Sequence, residues 1–145
     1  MLKKILVPTD GSDLSNKAIE GAVNVAKQTG ALLVGMTVTE PYPYSTMSEY
    51  SPAESRIHYD TRVKEEAAVR LGVLIDAAKN AGVRAETEVR SSAAPYDAII
   101  AAAKDRHCDS IFMASHGRRG LSGMLLGSET NKVLTHSTIP VLVFR

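Results

Sequence analysis

A glycine-rich segment near the end of the chain has residue types that bind phosphate groups. It runs Met113-Ala114-Ser115-His116-Gly117-Arg118-Arg119-Gly120 and continues through Gly127-Ser128-Glu129-Thr130. Glycines let backbone N–H groups approach a ligand closely, and arginines pair with phosphate oxygens. An apolar run before the segment predicts a buried strand, and a helix is predicted from about 128 to 136. Because a helix N-terminus presents unpaired N–H donors and a partial positive charge, this arrangement predicts an anion site.

Two common phosphate-binding motifs are absent from the sequence. There is no Gly-x-x-x-x-Gly-Lys-Ser/Thr, and no Gly-x-Gly-x-x-Gly follows the first predicted strand. The residue types alone are therefore equally consistent with a phosphate site and with a glycine-rich surface loop. His116 suggests acid–base catalysis, but no paired base or nucleophile can be identified, so a structural role is favoured.

Strands and helices alternate along the chain and must position this segment. Strands are predicted at 5–7, 31–38, 83–90, 109–114 and 141–144, and helices from about 12–15 to 30, at 56–81, from Pro95, and at 128–136. The alternation predicts an α/β fold: a single doubly wound domain over 1–145, with a five-stranded parallel sheet and helices on both faces. Fold rules favour the strand order 3-2-1-4-5, which places Thr9-Asp10 beside Ser115-His116-Gly117 at a crevice.

The third predicted strand and the long connection before the second helix differ from the rest of the pattern. The strand at 83–90 alternates apolar with charged residues, which predicts a half-exposed strand at a sheet edge. The stretch 39–55 has no periodicity, three prolines and three tyrosines. A connection of that length is typical either of a lid or mobile segment or of a variable surface excursion.

Composition limits the class of protein. The chain has 145 residues, 44% hydrophobic and 23% charged, which suits one globular domain. A formal net charge of +1 gives no indication of a nucleic-acid or membrane-surface partner. The single cysteine excludes an internal disulfide and fits a reducing compartment. No apolar run approaches the roughly 20 residues of a membrane span, and the N-terminus is too short for a signal-peptide core, so we expect a cytoplasmic protein.

Three motifs together resemble the universal stress protein family. The first is Lys4-Ile5-Leu6-Val7-Pro8-Thr9-Asp10-Gly11-Ser12 and the last is Ser137-Thr138-Ile139-Pro140-Val141-Leu142-Val143. Between them, Met113 to Gly117, nine residues and then Gly127-Ser128 is similar to the family's nucleotide-binding signature, Gly-x-x-Gly, nine residues, Gly-Ser/Thr. The resemblance covers the whole chain. Ala114 stands where the first glycine of the signature is expected, which costs little in extended backbone and more at positive φ.

The resemblance implies an ATP-binding member with an adenine nucleotide α-hydrolase-like fold. It implies that Asp10 bonds the ribose or the adenine and that Pro8 and Thr9 line the same pocket. It also implies that Val38 offers backbone groups to the base and that Met113 packs near the nucleoside. The residues it places around the phosphates are Gly117, Arg118, Arg119, Gly127, Ser128, Glu129 and Thr130.

Each polar residue of this set also has a structural alternative. Asp10 can instead cap the first helix, and Arg118 and Arg119 can be solvated loop charges. Ser128 is expected to cap its helix whether or not it also contacts phosphate.

The function that the loop and the family resemblance favour is that of a cytoplasmic stress-response protein, a binding module that holds ATP and signals by occupancy or shape. One alternative is a slow ATP hydrolase or phosphotransferase, for which His116 and Glu129 are the local candidates. Another is a partner-binding scaffold that has lost nucleotide affinity, which the alanine at 114 suggests. No metal-ligand spacing is present, so Mg²⁺ or Mn²⁺ would arrive with the phosphates. The family resemblance and the apolar edge Val141–Phe144 predict a homodimer through the C-terminal strand.

Overall fold

Residues 1–43, 55–118 and 125–145 are described by the computed structural model, and they alternate between strand and helix as predicted. In chain order the elements are β1 (Lys4–Pro8), α1 (Asp13–Thr29), β2 (Leu32–Thr39), α2 (Arg56–Ala81), β3 (Ala85–Ser91), α3 (Pro95–Asp105), β4 (Ser110–Ala114), α4 (Ser128–His136) and β5 (Val141–Phe144). Most of the predicted 39–55 connection and residues 119–124 lie outside the described residues.

The five strands form one parallel sheet in the order β3-β2-β1-β4-β5, which confirms the predicted topology. The strand order reverses between β1 and β4, so the chain leaves the carboxyl ends of these two neighbouring strands in opposite directions. That divergence opens a crevice, the usual ligand position in doubly wound sheets. The half-exposed strand β3 is at one edge, as predicted, and β5 is at the other.

The apolar runs of the central strands are explained by helices on both sheet faces. In β1, Ile5 and Val7 pack toward α1 and α2, whereas Leu6 packs toward α3 and α4. All three side chains are fully buried. Strands covered on both sides lose the polar alternation of half-exposed strands, because every position faces a core. The sheet is therefore a rigid base for the loops at its carboxyl edge.

Capping divides the helices into two classes. The N-cap serines of α1 and α2, Ser12 and Ser55, accept hydrogen bonds from Ser15 N–H (3.2 Å) and His58 N–H (3.3 Å). The N-caps of α3 and α4 are Ala94 and Gly127, and neither provides a side-chain cap. The expected capping of α4 by Ser128 is therefore wrong, because Ser128 is the first helical residue and lies one position too late to cap.

Two further features concern the single cysteine and membrane association. Cys108 is buried, and that burial raises the pKa of its thiol to about 11, so it packs as a small apolar residue. Within the described ranges, no helix combines the length and apolarity needed to cross a membrane.

Candidate functional site

The crevice between β1 and β4 is closed at its base by a contact between the two loops that flank it. Asp10 directly follows β1, and its Oδ2 accepts a hydrogen bond from Arg118 N–H at 2.7 Å. Its Oδ1 accepts one from Ser12 N–H at 3.0 Å. The predicted juxtaposition of the two polar clusters is thus confirmed. The alternative role of Asp10 as the cap of α1 is wrong, because Ser12 is the N-cap.

The hydrogen bonds of Asp10 determine its charge state. Burial would raise the pKa of its carboxyl group, but bonds from Ser12, from the Arg118 amide and from Ser15 outweigh that effect. The net result is a pKa below the ordinary value for aspartate, so Asp10 is ionised at neutral pH. It therefore places a fixed negative charge at the base of the crevice, with lone pairs beyond those that the N–H groups of Ser12 and Arg118 occupy. Such a carboxylate can accept further hydroxyl or amine donors from a ligand.

Glycine at position 117 allows the β4–α4 loop to approach Asp10. A Cβ atom built on Gly117 would overlap Asp10 Oδ2. The backbone of Gly117 is not at positive φ, so close approach is the reason for glycine here. The loop and the carboxylate therefore form one packed unit.

The turn after β1 is held by buried hydroxyl groups. Thr9 is 5% exposed, and its Oγ1 lies 3.0 Å from Ser15 Oγ. The same Thr9 Oγ1 accepts a hydrogen bond from Gly11 N–H at 3.2 Å, and Gly11 has a φ of 80° that suits glycine. The hydroxyl of Thr9 thus shapes the turn that presents Asp10, instead of pointing freely into the crevice.

The N-terminus of α4 presents unpaired amide donors. Gly127 N–H bonds to Ser115 C=O at 2.7 Å, which fixes the start of the helix to the end of β4. The first bond inside the helix runs from Asn131 N–H to Gly127 C=O at 3.0 Å. Among the described residues nothing accepts from the intervening N–H groups of Ser128, Glu129 and Thr130, and no side chain caps this turn. Unpaired donors and the helix dipole are the features by which helix N-termini attract anions.

The side chain of Thr130 anchors this turn to the sheet. Its hydroxyl donates to Ala114 C=O at 2.9 Å, and the residue is 3% exposed. Ala114, at the end of β4, is not at positive φ; His107 (φ 53°) is the one such non-glycine residue in the described part of the chain. Alanine in place of the signature glycine therefore costs no backbone strain.

Glu129 directs its carboxylate toward α3. Glu129 Oε2 accepts a hydrogen bond from Tyr96 N–H at 2.8 Å, and Oε1 lies 3.2 Å from Lys132 Nζ. The Glu129 side chain is therefore not free to contact phosphate, and the group of Glu129 that remains for such a contact is its backbone N–H.

Backbone groups of Val38 also face the crevice. Residues along a parallel strand direct their N–H and C=O alternately to the two neighbouring strands. Thr9 N–H bonds to Met36 C=O at 2.8 Å, so Met36 faces β1, and Val38 faces the same side. The last residue pair between β1 and β2 is Pro8 with Met36, because β1 ends at Pro8. The N–H and C=O of Val38 therefore lie beyond the end of β1. No described residue bonds them, which leaves a donor and an acceptor for a planar base.

The remaining predicted residues divide between core, loop and undescribed regions. Met113 is 6% exposed and packs in the core beneath α3 and α4. Arg118 is exposed beside the crevice, and Arg119 lies outside the described residues. His116 Nδ1 lies 3.2 Å from the Oγ of buried Ser115. In the described part of the chain no three potential ligands cluster as a metal site.

Sequence analysis missed Arg70, which reaches the crevice loops from α2. Its side chain is 17% exposed, and Nη1 donates to Thr37 Oγ1 at 3.4 Å. Its Cγ lies 3.0 Å from where a Cβ on Gly11 would be, so it packs on the β1–α1 turn. The sequence feature that could have identified Arg70 is its position on the inward face of α2, between Ala67 and Leu74. A charged residue on such a face needs a partner.

Comparison with known proteins identifies the family of this chain. The sequence model described as the Universal stress protein family matches residues 1–145. The universal stress protein YxiE of Bacillus subtilis is 36% identical over 149 residues, covering 100% of both chains. The solved structure of the hypothetical protein MJ0577, described as a structure-based assignment of its biochemical function and a test case of structural genomics, is 26% identical, with a TM-score of 0.83 over 99% of this chain and 96% of that one.

A second solved structure contains a ligand. It is a universal stress protein in complex with cAMP, 25% identical, with a TM-score of 0.69 over 98% of this chain and 95% of that chain. Since the family model spans the whole sequence and a relative of equal extent is more than one third identical, the chain belongs to the universal stress protein family.

Proposed function

We propose that this protein binds ATP in the crevice between β1 and β4 and acts as a regulatory binding module. The observation that carries the proposal is the uncapped first turn of α4, where no described residue accepts from the N–H groups of Ser128, Glu129 and Thr130 and which follows the loop that Asp10 binds. Glu129 is half-buried and Thr130 is buried, so their amides need acceptors, and phosphate oxygens at a helix N-terminus satisfy such donors.

The remaining residues suit the other parts of the nucleotide. The phosphates are held by the α4 amides together with Gly117, Arg118 and Arg119. Gly127, whose own N–H is bonded to Ser115 C=O, starts the turn that presents those amides. Asp10 accepts from the ribose hydroxyls or the adenine amine, and the free N–H and C=O of Val38 pair with the base. Pro8, Thr9 and Met113 form the wall behind the nucleoside. A divalent ion, Mg²⁺ or Mn²⁺, is carried by the phosphates.

The ligand class is supported by the neighbour crystallised with cAMP, which shares the adenine, the ribose and a phosphate with ATP. Hydrolysis is less well supported, because the carboxylate of Glu129 is occupied by Tyr96 and Lys132 and His116 is paired with Ser115. The alternative of a scaffold that binds no nucleotide was suggested by Ala114. Because Ala114 causes no backbone strain, that residue no longer supports it.

Equilibrium titration tests the proposal. We expect ATP with Mg²⁺ to bind with measurable heat and to raise the melting temperature by roughly 5 to 10 °C at a hundredfold excess over Kd. Adenosine, which lacks the phosphates, should bind at least tenfold more weakly, because the α4 amides then remain unpaired. If millimolar ATP produces neither heat nor stabilisation, the proposed function is wrong.

We also propose that the protein forms a homodimer through the outer edge of β5. This strand is apolar throughout, no strand of the described residues pairs with its outer backbone edge, and Leu142 is 47% exposed. An apolar edge of this kind favours pairing with a second copy.

Light scattering after size exclusion tests the dimer. The wild type should have twice the 15.5 kDa mass of one chain, and Leu142→Lys should shift it toward the monomer by placing like charges across the two-fold axis. Val69→Lys, which changes a 73% exposed residue on α2, is the matched control and should leave the mass unchanged. A monomeric wild type, or a dimer that persists in Leu142→Lys, would contradict this interface.

A further inference from the structure

The first turn of α3 has a backbone donor that its own segment does not satisfy. Its N-cap is Ala94, which has no side-chain acceptor, and Pro95 has no N–H to donate. Ser92 Oγ is used by Ala94 N–H at 3.1 Å, and Asp97 N–H reaches Ala94 C=O at 3.2 Å. The N–H of Tyr96 is left as the donor that needs a partner from elsewhere in the chain.

That partner comes from α4. Glu129 Oε2 accepts from Tyr96 N–H at 2.8 Å, across 33 residues of sequence. Carboxylates are favoured at helix N-termini because they accept a charge-assisted bond and face the positive end of the dipole. Lys132 holds the other oxygen at 3.2 Å, and its Nζ lies 5.3 Å from the centre of the Tyr96 ring. The carboxylate is therefore fixed on both sides.

Glu129 contributes to the N-termini of two helices, α3 and α4. Its side chain caps α3, and its backbone N–H is one of the unpaired donors at the start of α4. A rotation of α4 that moves these donors also moves the Glu129 side chain relative to Tyr96, so the bond to Tyr96 opposes it. The same bond keeps a negative carboxylate away from the place where phosphate would be bound, where like charges would repel.

We propose that Glu129 is a positioning residue for nucleotide binding, which fixes the first turn of α4 against α3 and thereby sets the direction of the phosphate-binding amides. This inference depends on the proposed ATP site but assigns Glu129 a different task from the phosphate contact that the family signature implies. The task is geometric and needs an acceptor oxygen at this position, whether charged or not.

Three substitutions separate geometry from charge. Glu129→Gln keeps an acceptor for Tyr96 N–H and removes the charge, so it should bind ATP within about twofold of wild type or more tightly. Glu129→Ala removes the acceptor, so the first turn of α4 is no longer held against α3, and ATP affinity should fall roughly tenfold, equivalent to about 1.4 kcal/mol. Glu129→Asp, one methylene shorter, should resemble alanine while keeping the charge. Lys132→Ala is the control that removes the ion pair but keeps the bond to Tyr96, and it should bind nearly as wild type.

Amide hydrogen exchange of Tyr96 reports the bond independently of ATP. Protection should be strong in wild type and Glu129→Gln and lost in Glu129→Ala and Glu129→Asp. If the wild type binds ATP and Glu129→Ala binds equally well, the positioning role is wrong and the proposed function stands. If Glu129→Gln is as weak as Glu129→Ala, charge and not geometry matters, which also overturns the inference. A wild type that binds no ATP would instead defeat the proposed function, while Tyr96 exchange would still decide whether the cap exists.

Discussion

Gly117→Ala is expected to lower ATP affinity by roughly tenfold to a hundredfold while the protein remains folded. The added methyl would overlap Asp10 Oδ2, so the loop, the carboxylate or both must move. Overpacking at a fixed contact costs about 1–3 kcal/mol, which corresponds to this range of affinities. The shift would also break the bond from Arg118 N–H to Asp10, which is part of the crevice wall. Isothermal titration with MgATP measures the effect.

Two controls isolate the cause. Gly72→Ala changes a glycine inside α2 with no atom within 4 Å of the new methyl, so it should bind ATP as wild type and be slightly more stable. Combining Gly117→Ala with Asp10→Ala removes the overlapping oxygen, so the added methyl should cost far less in that background than in wild type. Equal costs in the two backgrounds would show that the overlap with Asp10 is not responsible.

Asp10→Asn is expected to weaken ATP binding at least tenfold at pH 7. Both oxygens of Asp10 accept from backbone donors, at Ser12 and Arg118. An amide has one oxygen, so its NH₂ group would face one of these N–H donors and lose that bond. Bonds to charged groups contribute about 1.5–3 kcal/mol, so the loop should loosen and affinity should fall. Asp13→Asn, an exposed site in the first turn of α1, is the matched control and should change affinity little.

The same variant predicts a pH dependence of stability. Hydrogen bonds hold the pKa of Asp10 below its ordinary value despite burial, so the folded protein favours the ionised form. The resulting stabilisation is present above the unfolded-state pKa of about 3.9 and is lost as pH falls through the lower folded-state pKa. The stability difference between wild type and Asp10→Asn should therefore be full at pH 7 and shrink below about pH 4. A difference that is constant across this range, measured by denaturant unfolding, would contradict the assigned hydrogen bonds.

The sheet could be predicted from the sequence because its cause is local. Runs such as Ile5-Leu6-Val7 are apolar at every position, which requires cover on both faces, and the strand–helix alternation then restricts the topology. The helix ends marked by Ser12 and Gly30 could also be predicted, because a cap and its helix are neighbours in sequence.

The finer geometry of the site could not be predicted in this way. The partner of Glu129 is Tyr96, and only the packing of α3 against α4 brings them together. Gly117 matters because a carboxylate from another loop occupies the space beside it. The cap of α4 differs by one residue from the expected position, a shift that follows from Gly127 being bonded to Ser115. Periodicity reports which face of an element is buried, but not which atoms meet across a crevice.

The central claim is that amides at the start of α4 hold the phosphates of ATP, and amide chemical shifts measured during titration test it most directly. We expect MgATP to move the ¹H–¹⁵N signals of Ser128, Glu129, Thr130 and Arg118 most, while adenosine moves the signal of Val38 and leaves the three α4 amides nearly unchanged. If saturating MgATP leaves the α4 amides unmoved, or shifts only residues elsewhere in the fold such as those of α2, the phosphate site is not where this account places it.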